Sequence, residues 1–449
     1  MIINEIELFY VKVPLAQSKP GFFAERHGFF PSWIPGFHQT EMRMYVLRLR
    51  TDSGLEGIAG MPAMGTERTG LGPLLGNYLL GLNPLDIAMV NQRIQEFSYI
   101  GMRNGWIDAA FWDIIGKARG QSLHQLLGGQ GGFVYPYAST GATHNHNPEV
   151  ARDLIRSHQE NGYRGTKLRV KSRELQPMVE YVQAARESAG PEYHIMVDAN
   201  QGWPVDIIDE TPRWDVDFAL QYARAIESAD VYWLEEPLNR GNLEGLAELR
   251  RQTSTPIAGG EMNSSHRDFQ NMIALGSLDV YQPDAVLVGG TYAGGISVVY
   301  WLLQKIRTHN QQHPADKIKF CPHTWTTGIG FAVNLQMVGL VQPEERSLLE
   351  YPLEGYWRPE YWGSIIEGDV FPDRDGRIRI PEEPGLGVRL NKRTLRRFGR
   401  RVYHGTSGSV ARFTLRDRGL KETLYLKKKK AEQAERFQRA DFQIPAPPF

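Results

Sequence analysis

Ionisable residues recur at one kind of position along this chain, the end of a short apolar run. Asp198 closes HIMVDA, with Asn200 just beyond; Glu235 and Glu236 close VYWLEE, and Glu261 closes PIAGGE. Asp284 closes DVYQPD, His323 closes IKFCPH, and Glu350 stands near the end of SLLEYP. Carboxylates aimed at one point repel unless a cation sits among them. Oxygen donors on neighbouring strands, with no adjacent His or Cys, suit a hard divalent ion, magnesium rather than zinc. Asp198, Glu235 and Glu261 are the expected ligands. Asp284 ends the strand next to that of His323, which allows a carboxylate to orient an imidazole and raise its basicity. In GTKLRVKS, Lys167 and Arg169 are two residues apart and share one strand face. At roughly 6 Å they repel by about 3 kcal/mol at an effective dielectric near 20, so the pair calls for an anion between its members. Glu236 has no part in this chemistry and reads as structural; Cys321, within its strand, reads as core.

For these residues to meet, their runs must be parallel strands with a common end. VYPYAST, TKLRV, HIMVDA, VYWLEE, PIAGGE, DVYQPD, IKFCPH and SLLEYP alternate with amphipathic stretches every roughly 25 to 40 residues. This predicts an α/β fold of the (β/α)8 TIM-barrel type, whose sites lie at the C-terminal ends of the strands. A doubly wound sheet would alternate in the same way, but its Gly-rich turn is missing after the first strand. Ahead of the barrel, Ile2 to Val13 and Arg43 to Arg50 read as strands, and residues 84–99 and 104–118 have helical spacing. An α+β capping domain over 1–130 follows. Its aromatic, Pro- and Gly-rich stretch over about 15–40 has the length and composition of a lid. The expected divisions after it are a barrel at 131–355, a segment returning to the cap at 356–390 and a basic extension at 391–449.

Composition excludes more than it assigns. The 449 residues carry 51 basic and 51 acidic side chains, so no net field favours nucleic acid or membrane. The tail from Asn391 is the exception, with sixteen Lys and Arg against five acids; it lacks a nucleic-acid module and reads as a solvated or subunit-wrapping extension. No apolar run nears the roughly eighteen residues of a membrane span, and the acidic N-terminus does not resemble a signal peptide. A single cysteine excludes a disulfide framework. The expectation is a cytoplasmic protein, self-associating as a homo-oligomer. Phosphate-loop, HExxH and GxSxG patterns are absent.

The ordered set DAAFWDIIGKARGQSLHQLLGG, TKLRV, VDANQGW, WLEEP, GGE, QPD followed by VGG, PHTW, LEYP and PGLGV resembles the enolase superfamily, mandelate racemase-like subgroup, over nearly all of the body before Asn391. The resemblance implies that Asp198, Glu235 and Glu261 bind Mg2+, that Asn200 lies near the substrate and that Asp284 and His323 form the base dyad. It makes Glu350 a hydrogen-bonding or acid group against the substrate carboxylate, and the 15–40 loop the mobile lid that selects the substrate. The shared chemistry is abstraction of the proton α to a carboxylate, using a Lys or His base with magnesium. Lys167 would then stabilise the developing charge and His323 take the proton. Family members often have Lys-x-Lys on the second strand. Here the second position is Arg169, which stays protonated and is a poor base, suited to binding and orienting the substrate. One base suffices for dehydration, whereas racemisation normally needs one on each face. The implied activity is a magnesium-dependent acid-sugar dehydratase (hydro-lyase) of carbohydrate catabolism. It would convert an aldonate or aldarate through an enediolate to a 2-keto-3-deoxy acid; an epimerase or cycloisomerase is the alternative, and a non-catalytic relative a more distant one. Arg26, Arg43 and Arg103 are loose candidates for a second acidic group, and His27, His38, His144 and His146 lie on loops within possible reach.

Overall fold

The computed structural model describes residues 1–15, 39–99, 103–140, 146–203, 213–289, 293–354 and 357–436. Most of the expected lid, together with Arg26, His27, His38 and His144, lies outside them.

The N-terminal unit begins with three antiparallel strands, β1 (Ile3–Pro14), β2 (Glu41–Thr51) and β3 (Glu56–Pro62). Leu8 pairs with Leu47 and Tyr10 with Tyr45, whose rings are 5.3 Å apart; such cross-strand pairs hold a sheet together. Helices α1 (Gly72–Leu79), α2 (Ile87–Ser98) and α3 (Asp108–Arg119) follow. From Asp108 to Gly116 every residue of α3 is buried, and the helix stops at Gly120, in the left-handed conformation at φ 67°. The α3 backbone approaches the sheet so closely that a Cβ on Gly57 would lie 1.9 Å from the Ala110 carbonyl.

Eight parallel strands make the second unit: β4 (Pro136–Ser139), β5 (Gly165–Arg169), β6 (His194–Asp198), β7 (Trp233–Glu235), β8 (Ile257–Gly259), β9 (Val280–Tyr281), β10 (Lys319–Phe320) and β11 (Leu349–Pro352). They are hydrogen-bonded in the order β10-β9-β8-β7-β6-β5-β4-β11, which brings the first and last strands side by side. Side chains join β10 to β11: Cys321 Sγ donates to the Leu348 carbonyl at 3.0 Å and Thr324 Oγ1 to that of Glu350 at 2.7 Å. The fold is thus a (β/α)8-type barrel beneath an N-terminal α+β cap, as the sequence predicts. The ladders are shorter than expected, however. Glu261, Asp284 and His323 lie on the loops just beyond them, while Asp198 and Glu235 occupy the last strand positions.

Period-two alternation sets what reaches the mouth. Tyr137, Met196, Trp233, Ala258, Val280 and Cys321 pack together inside the barrel. Two residues beyond five of them come Ser139, Asp198, Glu235, Gln282 and His323, one layer higher. After Ala258 the interval is three, to Glu261, and the intervening Gly260 has φ 111°, a conformation that favours glycine. Leu168, Val170, Val197, Leu234 and Ile257, on the alternate face, join the large core under the helices.

The C-terminal part corrects one expectation. Residues Lys392–Phe398 form a short helix, and β12 (Gly399–Thr406) pairs antiparallel with β1, so this stretch of the basic tail is the fourth strand of the capping sheet. Its basic side chains face the acids of β1: Arg401 Nη1 is 2.8 Å from Glu7 and His404 Nε2 is 2.9 Å from Glu5. After Thr406 comes the helix Ser407–Arg436, with a break at Gly419, which packs Val410 against the core and is otherwise largely exposed over its described residues. Earlier, the chain touches the cap where Leu386 N donates to Asp113 Oδ1 at 3.0 Å; Asp113 Oδ2 accepts from Ile58 N of β3 at 3.1 Å. No helix among the described residues is long and apolar enough to cross a membrane.

Asp108 ties cap to barrel. Its carboxyl accepts from Ile296 N, Ser297 N and Ser297 Oγ at 3.3, 3.1 and 3.2 Å, at the start of the barrel helix Gly295–Gln312. Burial pushes this acid up to about 7, against the lowering effect of those bonds. A raised acid stabilises the fold at low pH and loses that contribution as pH rises through the raised value. Denaturant titrations should therefore show stability falling from about pH 4 to 7, with a shallower slope in Asp108→Asn. Asp108→Ala, which strands buried donors, should cost about 1–3 kcal/mol or more.

Candidate functional site

Lys167 and Arg169 both enter the barrel mouth from β5, as their spacing predicts, and the anion between them is Asp198. Its Oδ2 is 2.5 Å from Arg169 Nη1 and 3.5 Å from Lys167 Nζ. Lys167, only 1% exposed, also lies 2.8 Å from Glu235 and 2.6 Å from Glu350. Burial works against its charge, but Glu235, Glu350 and Asp198 together outweigh burial and raise its proton affinity. Arg169 is pinned further. Its Nη1 donates to Asn200 Oδ1 at 2.7 Å and its Nε to the Thr140 carbonyl at 2.6 Å, and its guanidinium lies 5.3 Å from the centre of the Trp325 ring.

The three expected ligands occupy the mouth, each held by its own donor. Glu235 accepts from Trp233 Nε1 at 3.1 Å and Gln282 Nε2 at 2.9 Å as well as from Lys167, and Glu261 accepts from Trp203 Nε1 at 3.1 Å. Their oxygens do not form a closed cage. Among the described residues, the one set of three such groups with all ligand atoms within 4.8 Å is Glu5, Glu7 and His404 on the capping sheet, where Arg48, Arg50 and Arg401 pair with the acids. At the mouth, by contrast, acids outnumber cations. Asp198, Glu235, Glu236, Glu261, Asp284 and Glu350 are all buried, against Lys167, Arg169 and an ionisable His323. Burial raises Glu235 and Glu261, with Lys167 opposing at the first and His323 at the second. All-oxygen donors in anionic excess fit a hard divalent cation.

Glu236 is the unexpected member of this set. It is 4% exposed and has φ 46°, and neither carboxylate oxygen has a hydrogen-bond partner. Burial, reinforced by Glu261, Asp198 and Glu235, raises its proton affinity well above the ordinary range. The carboxyl lies over Gly202, where a Cβ would come within 2.1 Å of Oε1.

Across the mouth, His323 Nδ1 is 3.0 Å from Asp284 Oδ2, the pairing expected from their adjacent strands, and Nε2 is 3.5 Å from Glu261 Oε2. Burial lowers the imidazolium, but Glu261, the bond to Asp284 and the charge of Glu350 push it up to about 9. Glu350 Oε1 accepts from Ser139 Oγ at 2.8 Å and Trp325 Nε1 at 3.0 Å, and Oε2 accepts from Thr324 N at 2.9 Å. Although burial raises it, Lys167 and His323 hold it down at about 2. Its hydrogen bonds to Ser139, Trp325 and Thr324 are all accepted ones, and Lys167 is its close charge partner.

Sequence reasoning did not single out Ser139, Thr140, Gln282, Trp325 or Asn334. Ser139 and Gln282 stand two residues beyond the interior residues Tyr137 and Val280, so the same alternation that located Asp198 could have found them. Trp325, two residues beyond His323, offered no such signal. Of the looser candidates, Arg43 bonds Glu41 and the Met64 carbonyl, both at 2.9 Å, and His146 Nε2 accepts from Lys171 N at 3.3 Å. Arg103 is half-buried, and burial, Arg240 and Arg68 all lower its proton affinity.

An α+β cap over a barrel whose mouth holds acids, a lysine and a carboxylate-paired histidine defines a capped-barrel protein of the enolase type. The chain belongs to the mandelate racemase/muconate lactonizing enzyme family: residues 34–128 match its N-terminal domain and residues 149–394 the enolase C-terminal domain-like family. It is similar to the L-talarate/galactarate dehydratase of Salmonella typhimurium strain LT2, 28% identical over 368 residues that cover 80% of this chain and 83% of that one. The L-rhamnonate dehydratase of Saccharopolyspora erythraea is 28% identical over 333 residues, covering 71% and 75%. The D-galactarolactone cycloisomerase of Agrobacterium fabrum is 27% identical over 297 residues, covering 65% and 72%. Among solved structures, the L-talarate dehydratase of Polaromonas sp. JS666, in complex with Mg and L-glucarate, shares the fold with a TM-score of 0.65 at 24% identity, covering 90% of this chain and 98% of that one.

Removing Lys167 would leave Glu235, Glu350 and Asp198 buried without their shared cation. Lys167→Met should lower stability by about 3–5 kcal/mol, measured by urea unfolding in the presence of a chelator. A loss below about 1 kcal/mol, the scale of exposed ion pairs, would contradict this picture.

Proposed function

We propose that the protein is a magnesium-dependent acid-sugar dehydratase. The observation that carries the reading is the asymmetry of the mouth, with a carboxylate-oriented imidazole on one side and a pinned arginine on the other. Asp198, Glu235 and Glu261 would hold Mg2+, which when bound stabilises negative charge on the substrate carboxylate.

The remaining work falls to the chain's own side chains. Asp284 accepts from His323 Nδ1 and so directs Nε2 to the mouth side, where, once the imidazole is neutral, it takes the proton from the carbon next to the carboxylate. The electron pair left by that C–H bond moves into the carboxylate, giving an enediolate. Lys167 supplies a fixed positive charge for it in a water-poor site, where such charge is most effective. Glu350, held as an anion by Ser139, Thr324 and Trp325, keeps Lys167 in place. The C–O bond at the next carbon then breaks, and the departing hydroxide takes the proton from the His323 imidazolium, leaving as water. The enol that remains becomes a 2-keto-3-deoxy acid.

Arg169 cannot serve as a second base. It is held by Asp198, Asn200 and Thr140, and Asp198, Glu235 and Glu350 raise its proton affinity despite burial. Its remaining role is to bind and orient the substrate. Relatives named as dehydratases of talarate/galactarate, rhamnonate, gluconate and arabinonate support the substrate class.

Incubation with a panel of aldonates and aldarates plus Mg2+ should release 2-keto-3-deoxy products, and a chelator should stop the reaction reversibly. His323→Asn should lower kcat by about 10²–10⁴-fold, the usual worth of a positioned general base, with the fold unchanged by circular dichroism. A substrate that exchanges its α-hydrogen with solvent and returns as a diastereomer, without loss of water, would replace this reading with epimerisation.

A further inference from the structure

The helix Gly328–Val338 is buried at every position, and its sequence, GIGFAVNLQMV, is almost wholly apolar apart from Asn334 and Gln336. A polar side chain in such a helix is costly unless bonded. Asn334 has no exposed surface, and its bonds converge on the Asp284–His323 pair. Its Nδ2 donates to Asp284 Oδ1 at 2.9 Å and to the backbone carbonyl of His323 at 3.1 Å, and its Oδ1 accepts from Ala285 N at 2.9 Å. Only one orientation of the amide satisfies all three, because Ala285 N needs an acceptor and the two oxygens need a donor. Asp284 Oδ1 also accepts from Val286 N at 2.8 Å, which leaves Oδ2 for His323 Nδ1.

We propose that Asn334 is a positioning residue for the Asp284–His323 pair, one amide that fixes the carboxylate of the first and the backbone of the second and so sets where His323 Nε2 stands in the mouth. The two catalytic loops leave different strands, β9 and β10, and Asn334 grips both. Val286 N fixes only the Asp284 side; without Asn334, the bond between Asp284 and His323 would be, among the described residues, the only side-chain link holding imidazole and carboxylate in register. The inference rests on the reading of His323 as the base.

The test compares Asn334→Leu, Asn334→Asp and the control Gln336→Leu in the full-length protein with Mg2+ and a turned-over sugar acid. Gln336 lies on the same helix but bonds His124 and the Pro381 carbonyl, away from the mouth. Its loss should cost stability and leave kcat unchanged. Both Asn334 variants should lower kcat about 10–100-fold, the usual effect of losing an orienting partner, with KM within about twofold. They should also shift or abolish the downfield Nδ1–H resonance of 15N-labelled His323. Asn334→Asp nearly preserves size and retains an acceptor for Ala285 N, so it serves if Asn334→Leu does not fold. Wild-type kcat, or an unchanged His323 resonance, in a folded Asn334 variant would overturn the proposal. Full activity in His323→Asn would instead remove the base assignment on which it rests, and the resonance would still report whether Asn334 orders the pair.

Discussion

Lys167 lies on the floor of the barrel mouth within 2.8 Å of Glu235 and 2.6 Å of Glu350, with Asp198 3.5 Å away. Buried charges are costly to desolvate, and the cost is recovered only with close opposite charge and saturated hydrogen bonds. Most of the mouth can be understood as a response to that constraint. Trp233 and Gln282 saturate Glu235, Ser139, Thr324 and Trp325 saturate Glu350, and Asn200 with the Thr140 carbonyl fixes Arg169 against Asp198. The acids still exceed the permanent cations. A site built in this way favours added positive charge and holds its cations where an oxyanion can use them.

The barrel supplies the geometry for this concentration of charge. Interior side chains such as Met196, Trp233 and Cys321 close the space below, and the next inward position on each of those chains delivers Asp198, Glu235 and His323. The cap is joined to the barrel through Asp108, whose carboxyl lies at the start of a barrel helix, and the returning C-terminal strand completes its sheet. Cap and barrel are thus tied together through Asp108.

Much of this was legible because strand alternation is a strict rule. Eight runs separated by helical stretches, with Asp198, Glu235 and His323 at their ends, suffice to predict a barrel and its mouth. The pair Lys167 and Arg169 could be placed on one face with a need for an anion between them; that Asp198 on the neighbouring strand fills that place comes from the structure alone. What was not legible depends on contacts between distant segments. Asn334 sits in an apolar helix with no local mark of function, and the donors around Glu350 come from three separate stretches of chain. The left-handed backbone of Glu236 leaves no signature in WLEEP. The basic tail misled because its charge suggested solvent; the acids that pair with it, Glu5 and Glu7, lie nearly four hundred residues earlier.

The central claim is that the anionic excess at the mouth is matched by one divalent cation. Calorimetric titration of Mg2+ into the chelator-treated protein tests this most directly. A single site per chain, weakened about tenfold or more by Glu261→Gln as expected for loss of a charged ligand, is the predicted result. The absence of saturable Mg2+ binding, or binding unaffected by substitution of Asp198, Glu235 and Glu261 in turn, would contradict it.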